Sequence, residues 1–403
     1  MNNKKIFDPI YGFISLNEYE FKLIKKLPFK RLQAIHQIGT ASFVYTGGNH
    51  KRFDHSLGTF HIATQIFDAV VEKNLQLDKE AVTYWRKVLR VAALCHDLGH
   101  LPFSHVAEED VLGKNGHEEW TMRIIRSDYL FDIWKLERLN VEDIVKIAVG
   151  EEIYGSTFTN WEKIVTEMLT GDYFGADRID YLLRDSYFTG LSYGSFDYCQ
   201  LIDCLRLISF QNAICLGLTE DGLESCYSLL LARYFMHKRL YQNPSVKSYS
   251  FHLNRFIKFF FKNKNYLDSI DNYISVNDYD VLSEMNKALF DKNHKGHDDA
   301  MSLMDQQKRY SVHTITQKEG DILLGELKHF NNEIFFEKCQ SSQNNNTLSF
   351  PVLLKSGIVE QAEKIAEVKI PVNYKNCVYI SPNASIYVKK FLQKTDQGIQ
   401  ELL

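Results

Sequence analysis

Apolar residues recur with a helical period in several stretches of the first 260 residues. Before them, alternating apolar and turn residues over 5–15 predict a short hairpin. From Asn17 onward the apolar spacing becomes three to four residues, which is typical of amphipathic helices. The run from Val88 to Cys95 is apolar on nearly every side, so it predicts a buried helix. These patterns predict a mostly α-helical protein.

The pattern changes near residue 300. Residues 290–302 are rich in His, Asp, Lys and Gly, which favours a solvated loop over a metal site. Further on, four β-like runs and two helical runs predict a small α+β region. The β-like runs span 322–327, 333–337, 348–354 and 378–381, and the helical runs span 360–367 and 385–394. We therefore divide the chain into a helical core, 1–300, and a small C-terminal α+β region, 301–403.

Composition narrows the class of protein only slightly. The chain has 403 residues, of which 45% are hydrophobic and 24% charged, as in ordinary folded proteins. A net charge of -4 gives no general nucleic-acid signature, so any basic surface must be local. The seven cysteines form no Cys-x-x-Cys pair, which favours reduced thiols. With no signal peptide or membrane-spanning run, we expect a cytoplasmic protein without membrane contact.

Candidate chemistry is concentrated at the end of the buried helix. His96 and Asp97 follow it directly, and His100 and His105 come soon after. A single histidine there would usually be a satisfied core residue. A buried neighbouring carboxylate changes this, because it needs an opposite charge or a metal. Imidazole and carboxylate together suit a divalent transition metal. A further histidine, His55, lies in the first turn of another predicted helix, for which Asp54 is the expected N-cap.

Two stripes of polar and aromatic residues each share one face of a predicted helix. They are Asp177, Tyr181 and Asp185, and Arg233, His237 and Tyr241, each spaced i, i+4, i+8. The second stripe combines a phosphate-binding charge, a hydrogen-bond donor and an aromatic ring. Solvated helix faces remain the alternative for both stripes, and also for the adjacent pair His117 and Glu118.

In chain order, these residues form the pattern H…HD…D: His55, then His96 and Asp97, then Asp177. With its flanks, the pattern resembles the HD-domain metal phosphohydrolases, and within them the deoxynucleoside triphosphate triphosphohydrolases. The flanking segments that carry the likeness are Arg52–Thr59, Cys95–His105 and Asp177–Asp185. The likeness covers residues 5–260 and fades after 300. It implies an HD-type helical core and hydrolysis of dNTPs to deoxynucleoside and inorganic triphosphate.

The resemblance also implies a role for each matching residue. The ligands of one divalent metal (Mn, Mg, Fe, Co, Ni or Zn) would be His55, His96, Asp97 and Asp177. The catalytic groups near the α-phosphate would be His105 and His117, with Glu118 orienting His117. Phosphates, with an additional Mg on them, would be held by Arg52, His100, Arg178, Arg233 and His237. The sugar would contact Gln37, Tyr181 and Asp185, and its 2′ position would be crowded by Tyr241 and Ile38.

Two rival interpretations stay open at this stage. One is another HD-family nucleotide phosphohydrolase or a nucleotidase, and the other is a nucleotide-sensing or nucleic-acid-binding protein with vestigial activity. Relatives assemble, so we expect a homo-oligomer, a dimer or a tetramer. A nucleotide effector is also implied. Where relatives read guanine with an aspartate and an arginine, this chain has Lys25 and Gln33, so GTP is not expected to activate it through that contact.

Overall fold

The computed structural model describes residues 4–74, 77–262, 264–315, 333–337, 348–371 and 376–385. The longer helices are α1 (Glu18–Leu23), α2 (Leu27–Leu32), α3 (Arg52–Glu72), α4 (Lys79–Cys95), α5 (Glu108–Leu112), α6 (Gly116–Ile125), α7 (Asp128–Glu137), α8 (Val141–Tyr154), α9 (Asn160–Thr170), α10 (Ala176–Thr189), α11 (Tyr198–Asp203), α12 (Leu223–Met236), α13 (Pro244–Lys262), α14 (Ile270–Ser275), α15 (Asp278–Phe290), α16 (His297–Met304) and α17 (Ala362–Ile365). Short 3-10 turns lie at Gly39–Phe43, Ser104–Val106, Ser192–Gly194, Glu220–Gly222 and Gln306–Lys308, and a π-helical turn spans His237–Tyr241.

The strands form three small antiparallel or mixed sheets around this helical body. They are β1 (Lys4–Asp8), β2 (Gly12–Leu16), β3 (Leu205–Phe210), β4 (Ala213–Thr219), β5 (Ser311–Ile315), β6 (Ile334–Glu337), β7 (Pro351–Leu353), β8 (Val359–Gln361) and β9 (Asn376–Ile380). The sheet orders are β1-β2, β3-β4-β7-β8 and β5-β9-β6. The predicted hairpin over 5–15 is confirmed, with Lys4 opposite Leu16 and Asp8 opposite Gly12. The mostly α-helical class is confirmed as well.

Three packed helices, α3, α4 and α10, form the centre of the core. The run Val88 to Cys95 in α4 is fully buried, as its apolar pattern predicted. Burying each large aliphatic side chain there stabilises the fold by about 1.5–3 kcal/mol relative to exposure. The helix ends at Cys95, so His96 and Asp97 begin the connection that follows it. Burial of α4 in the core therefore fixes the position of His96 and Asp97.

Buried ion pairs tie the hairpin and the first helix to this centre. Arg90 of α4 donates to both oxygens of Glu20 at 2.7 Å, and its guanidinium lies 4.1 Å from the centre of the Phe60 ring. Arg184 of α10 is fully buried and bridges Asp8 of the hairpin, at 2.9 Å, to Asp180 on its own helix. Paired in this way, the charges avoid the large cost of a lone buried ion.

Two local expectations from the sequence are wrong. Asp54 is not the N-cap of α3; the helix begins after Lys51, and Asp54 lies in its third position, where its carboxylate accepts the Lys51 N–H at 2.9 Å. This contact still satisfies a free backbone donor at the start of the helix. Residues 290–302 are not all loop, because α16 begins at His297. Its apolar residues Ala300 and Leu303 are buried, a three-residue spacing too short for the pattern to stand out.

The hairpin β3–β4 was not predicted from the sequence. Its turn residues Gln211 and Asn212 both have positive φ, 50° and 64°, the backbone of a tight hairpin turn. Such turns are usually marked by Asn-Gly or Asp-Gly, and that signal is missing here. Leu218 of β4 pairs in parallel with Val352 of β7, so a strand from the C-terminal region extends this sheet.

The expected strands near 333–337, 348–354 and 378–381 are confirmed as β6, β7 and β9. The run 322–327 lies outside the described residues, as does most of the helical run 385–394. The sheet β5-β9-β6 packs on α13, where the Phe251 and Tyr379 rings stack 4.9 Å apart. The division of the chain at residue 300 remains a prediction. Over the described ranges, no helix combines the length and apolar character that crossing a bilayer requires.

Candidate active site

Four side chains of the H…HD…D pattern meet at the junction of α3, α4 and α10. Nitrogen and oxygen atoms of His55, His96 and Asp97 lie within 4.8 Å of one another. Asp177 adds a carboxylate oxygen 2.9 Å from His55 Nε2 and 3.6 Å from His96 Nε2. The first three residues are buried, whereas the Asp177 side chain is about one-third exposed. The group thus offers two imidazole nitrogens and two carboxylates beside an opening.

Both histidines are anchored through Nδ1, so Nε2 is the ring atom that each could offer to a metal. His96 Nδ1 lies 2.8 Å from the Ala93 carbonyl, and only an N–H can bond there, so its Nε2 is unprotonated in the neutral ring. That Nε2 is buried and has no hydrogen-bond partner among the described residues. His55 Nδ1 lies 2.7 Å from Asp180, which is itself held by Arg184. A carboxylate behind an imidazole is the usual support of a metal-binding histidine.

The electrostatics of this group favour a bound cation. Burial alone lowers the pKa of His55, but its hydrogen bonds to Asp177 and Asp180 outweigh burial and raise that pKa to about 10. Burial alone raises the pKa of Asp177, but the contact with His55 and the nearby His96 imidazole bring that pKa far below the usual range. Because the cluster draws positive charge to itself, and its unpartnered nitrogen is buried, these residues fit a divalent metal with N and O ligands.

Arg52 connects Asp97 to the loop that follows it, through Ser104. Its NH1 donates to Asp97 at 2.6 Å, and its Nε donates to Ser104 Oγ at 2.9 Å. Its NH2 reaches the Gln37 carbonyl at 3.4 Å. Arg52 is 4% exposed, so it is a fixed positive charge at the wall of the site. Such a group suits recognition of phosphate oxygens.

A second cluster of imidazoles converges on Glu108, the first residue of α5. One carboxylate oxygen accepts from the His117 backbone N–H at 2.6 Å and makes a shorter contact with His117 Nδ1. The other lies 2.7 Å from His105 Nδ1 and 3.8 Å from His100 Nδ1. Glu118, which the resemblance assigned to orient His117, is 3.5 Å from the same Nδ1. Glu108 therefore makes the closer contacts with His117.

This second cluster is a poor metal site, although its atoms lie close enough together. The rings of His100 and His117 stack with centroids 3.6 Å apart and planes 19° from parallel. A metal lies near the plane of each imidazole that binds it, and no position near Glu108 lies close to both of these planes at a bonding distance of about 2.0–2.1 Å. The arrangement fits hydrogen bonding to one carboxylate instead.

Charges in this cluster separate the two stacked histidines chemically. Burial lowers the pKa of His117, but the hydrogen bond and charge of Glu108 outweigh it, so the pKa is raised. Burial and the charge of Arg52 bring the pKa of His100 well below its usual value. His117 therefore keeps its proton to higher pH than His100 does, and His100 is the neutral ring of the two.

The stripe on α10 meets the π-helical turn at the other end of the site. Asp185 receives a hydrogen bond from the Tyr241 hydroxyl on one oxygen and lies 2.8 Å from His50 Nε2 through the other. Tyr181 and Tyr241 approach edge to face at 6.3 Å. Burial and the charge of Asp185 raise the pKa of Tyr241, so its hydroxyl keeps its proton. An anionic acceptor framed by two aromatic rings suits a sugar hydroxyl.

Most of the predicted residues line one cavity of about 1370 Å³. Those on its wall are Gln37, Ile38, Arg52, His96, Asp97, His100, His105, His117, Glu118, Asp177, Tyr181, Asp185, His237 and Tyr241. Three predicted residues do not line it: His55, Arg178 and Arg233. Small-ligand pockets are typically about 300–1,000 Å³, so this one is large enough for a nucleoside triphosphate.

The two arginines outside the cavity wall still influence it. Arg178 donates to Asp172 at 3.0 Å and to the Gly171 carbonyl at 3.2 Å. Burial, then the charges of Arg233 and Arg178, lower the pKa of His237 to about 4. His237 thus faces the cavity as a neutral ring, with positive charge behind it.

The structure adds residues that the sequence reasoning did not single out: Glu108, His50 and Asp180. Glu108 follows His105 by three positions, which is a helical spacing that would have suggested a contact. Asp180 stands inside the segment Asp177–Asp185, but its position on the inner face of α10 carried no chemical signal. His50 has no local signal at all, because its partner is 135 positions away.

Comparisons with known proteins identify related chains. Residues 52–153 match the model of the HD domain. The chain is 32% identical over 257 residues to the deoxynucleoside triphosphate triphosphohydrolase SAMHD1 homolog of Dictyostelium discoideum, a match that covers 62% of this chain and 48% of that protein. The chain spans about half the length of the curated relatives it matches.

Two solved structures share the fold over nearly the whole chain. A hypothetical protein from Aquifex aeolicus superposes with a TM-score of 0.79 at 30% identity, covering 95% of this chain and 98% of that one. A phosphohydrolase from Bacteroides thetaiotaomicron superposes with a TM-score of 0.74 at 20% identity, covering 94% and 99%, which shows a common fold. With the H…HD…D pattern at its centre, the chain belongs to the HD-domain family, in the branch that includes the deoxynucleoside triphosphate triphosphohydrolase homologues.

Proposed function

We propose that this protein hydrolyses deoxynucleoside triphosphates to deoxynucleoside and inorganic triphosphate, using one divalent metal. The observation that carries the proposal is that one cavity joins three different parts. They are the His/Asp group with its free nitrogen, the Glu108-bound His117, and the Asp185–Tyr241 pair. The His/Asp group could hold a metal and His117 could donate a proton, and both serve phosphate ester hydrolysis. The Asp185–Tyr241 pair suits a sugar.

The proposed ligands are His55, His96, Asp97 and Asp177. A divalent metal bound there would supply Lewis-acid polarisation of a phosphate oxygen. Asp97 also accepts a hydrogen bond from Arg52, so the same carboxylate aligns a phosphate-binding guanidinium with the site. Arg52 would neutralise charge on the phosphate in the transition state, and His100 would donate a hydrogen bond from its neutral ring.

His117 is the proposed proton donor to the leaving 5′-oxygen. Glu108 engages its Nδ1, which leaves Nε2 as the ring atom available to the cavity. The pKa of His117, raised by Glu108, favours the protonated ring that a general acid requires. His105 would contact the same phosphate. Its ring is about two-thirds exposed, lies 2.7 Å from Glu108 through Nδ1 and meets the His100 ring edge to face at 4.6 Å.

At the sugar end, Asp185 would accept a hydrogen bond from the 3′-hydroxyl. Both of its oxygens already have one donor, Tyr241 or His50, and these contacts fix the carboxylate in place. Tyr241 and Ile38 would crowd the 2′ position and so disfavour ribonucleotides. The charges of Arg178 and Arg233 would attract the distal phosphates, and the neutral His237 ring would offer them a hydrogen bond.

A product assay tests this proposal. The purified chain would be incubated with each of the four dNTPs and four NTPs, with Mn²⁺, Mg²⁺ or Co²⁺ supplied separately, and products resolved by anion exchange. Deoxynucleoside and inorganic triphosphate are expected, and in ¹⁸O-labelled water the label should enter the triphosphate. Release of nucleoside monophosphate or orthophosphate would instead favour another HD-family nucleotide phosphohydrolase. Salt-sensitive RNA or DNA binding without turnover would favour a nucleic-acid-binding role.

A further inference from the structure

The loop between Asp97 and His105 has a backbone that requires outside support. Phe103 and Ser104 both have φ of 60°, the left-handed region that side-chain-bearing residues rarely adopt. Gly39 approaches so closely that a Cβ at its position would lie 2.7 Å from the Phe103 carbonyl oxygen. Such a conformation persists where surrounding contacts impose it.

The support comes from Asp278, which lies 175 positions after Phe103. One of its carboxylate oxygens accepts the Phe103 N–H at 2.7 Å. The other accepts the His36 N–H at 2.8 Å and lies 2.6 Å from His36 Nδ1. Lys51 Nζ donates to His36 Nε2 at 2.7 Å, so the imidazole proton is on Nδ1 and points at Asp278. Asp278 itself is completely buried.

From this loop, hydrogen bonds lead directly to the proposed site. Ser104 Oγ donates to the His36 carbonyl at 2.7 Å and accepts from Arg52 Nε at 2.9 Å. Arg52 in turn donates to Asp97 at 2.6 Å. The direction of the Arg52 guanidinium is therefore set by Ser104, whose backbone follows the residue that Asp278 holds.

Neighbouring contacts clamp the same loop from the α14–α15 side. The Tyr273 hydroxyl donates to the Gly99 carbonyl, and its ring stacks on Trp120 at 3.8 Å and 4°. Arg31 joins the Val276 carbonyl at 2.7 Å to the Leu98 carbonyl at 3.4 Å. Among these supporting residues, Asp278 is the one whose charged side chain bonds to Phe103, the first of the two left-handed residues.

We propose that Asp278 is a positioning residue for phosphate recognition. It holds the 103–104 backbone in its left-handed form, and through Ser104 it aims Arg52 at the polyphosphate. The inference rests on the proposed function only in taking Arg52 as a phosphate-binding group. Asp278 touches neither substrate nor metal in this arrangement, because it is buried and its carboxylate bonds to His36 and Phe103.

The test compares Asp278→Asn with Asp280→Ala. Asp280 accepts the Asn277 N–H at 2.9 Å at the start of the same helix, so its loss removes a cap of α15 and leaves the Asp278 bonds to Phe103 and His36 in place. Binding of inorganic tripolyphosphate would be measured by calorimetry, and kcat and KM on dNTPs in parallel, with thermal unfolding as the stability control. Asp278→Asn should weaken tripolyphosphate binding at least fivefold and lower kcat/KM at least tenfold. Asp280→Ala should change both less than twofold while lowering the melting temperature.

A double-mutant cycle then tests the route through Ser104. Ser104→Ala and Asp278→Asn act on one chain of contacts, so the double variant should bind tripolyphosphate no more weakly than the worse single variant. The proposal would be overturned if the two losses of tripolyphosphate affinity multiplied in the double variant. It would also be overturned if Asp278→Asn and Asp280→Ala lost affinity equally. Should Asp278→Asn not fold, His36→Asn removes one of the three hydrogen bonds and enters the same comparison. If the wild type binds tripolyphosphate but cleaves no dNTP, the proposed function fails, and the binding measurements still decide whether Asp278 positions Arg52.

Discussion

Replacing Glu108 by Gln is the sharpest test of how the site handles protons. The carboxylate accepts from the His117 backbone at 2.6 Å, contacts His117 Nδ1 more closely still, and lies 2.7 Å from His105 Nδ1. Its side chain is 10% exposed, so water does not screen these bonds effectively. Gln retains the size of the side chain but removes the charge that holds the His117 proton.

The size of the effect follows from the bond that is lost. A hydrogen bond to a charged group contributes about 1.5–3 kcal/mol. If His117 is the general acid, losing that contribution should lower kcat by about ten- to a hundredfold. The pKa of His117 is raised by Glu108, so it falls in Glu108→Gln and the protonated form is lost at lower pH. The alkaline limb of the kcat profile should therefore move toward acid.

The assay is the pH dependence of kcat on one dNTP at saturating metal for wild type, Glu108→Gln, Glu118→Gln and Glu119→Gln. Glu118 is 3.5 Å from His117 Nδ1 and should give a smaller shift in the same direction. Glu119 pairs with Arg123 on the outer face of α6 and serves as the surface control. An unmoved alkaline limb in Glu108→Gln, or a loss no larger than that of Glu119→Gln, would refute the role of Glu108 in holding the acid.

Four further predictions concern the metal, the sugar, the core and regulation. Asp97→Ala should lose bound metal and retain less than about a tenth of wild-type turnover, because losing a Lewis acid costs several kcal/mol; higher residual turnover would contradict a ligand role. Tyr241→Ala should narrow the dNTP/NTP ratio of kcat/KM, whereas equal loss on both substrates would indicate simple packing. Asp180→Ala leaves the buried Arg184 with Asp8 as its remaining carboxylate partner and should lower the free energy of unfolding in urea by about 1.5–3 kcal/mol, and a loss below about 1 kcal/mol would show that Asp8 alone compensates the charge. Adding GTP should leave steady-state rates on each dNTP unchanged, and a tenfold rise that disappears in Lys25→Ala would show that this site still reads guanine.

The local sequence was sufficient where chemistry and periodicity fell on one regular helix. Val88 to Cys95 is apolar on nearly every side, and burial of that helix carries His96 and Asp97 into the interior. The i, i+4, i+8 spacing of Asp177, Tyr181 and Asp185 follows from helix geometry, and all three line the cavity. These inferences held because they depend on one helix and on which of its faces is apolar.

Only the tertiary structure decided which groups meet across elements. Glu118 is adjacent to His117 in sequence, yet neighbouring residues on a helix point about 100° apart, so it cannot align well with the His117 ring. Glu108 reaches that ring from a separate helix, α5. Neither periodicity nor composition records a contact of that kind.

The same reason explains the other surprises. Strands β3 and β4 are stabilised by pairing with each other and with Val352, far along the chain, rather than by a strong turn signal. Asp278 is an ordinary first-turn acidic residue by sequence, and its role depends on His36 and Phe103 reaching it from 242 and 175 positions away. The helical period specifies which side of a helix faces inward. Which residues that side contacts depends on how the whole chain packs.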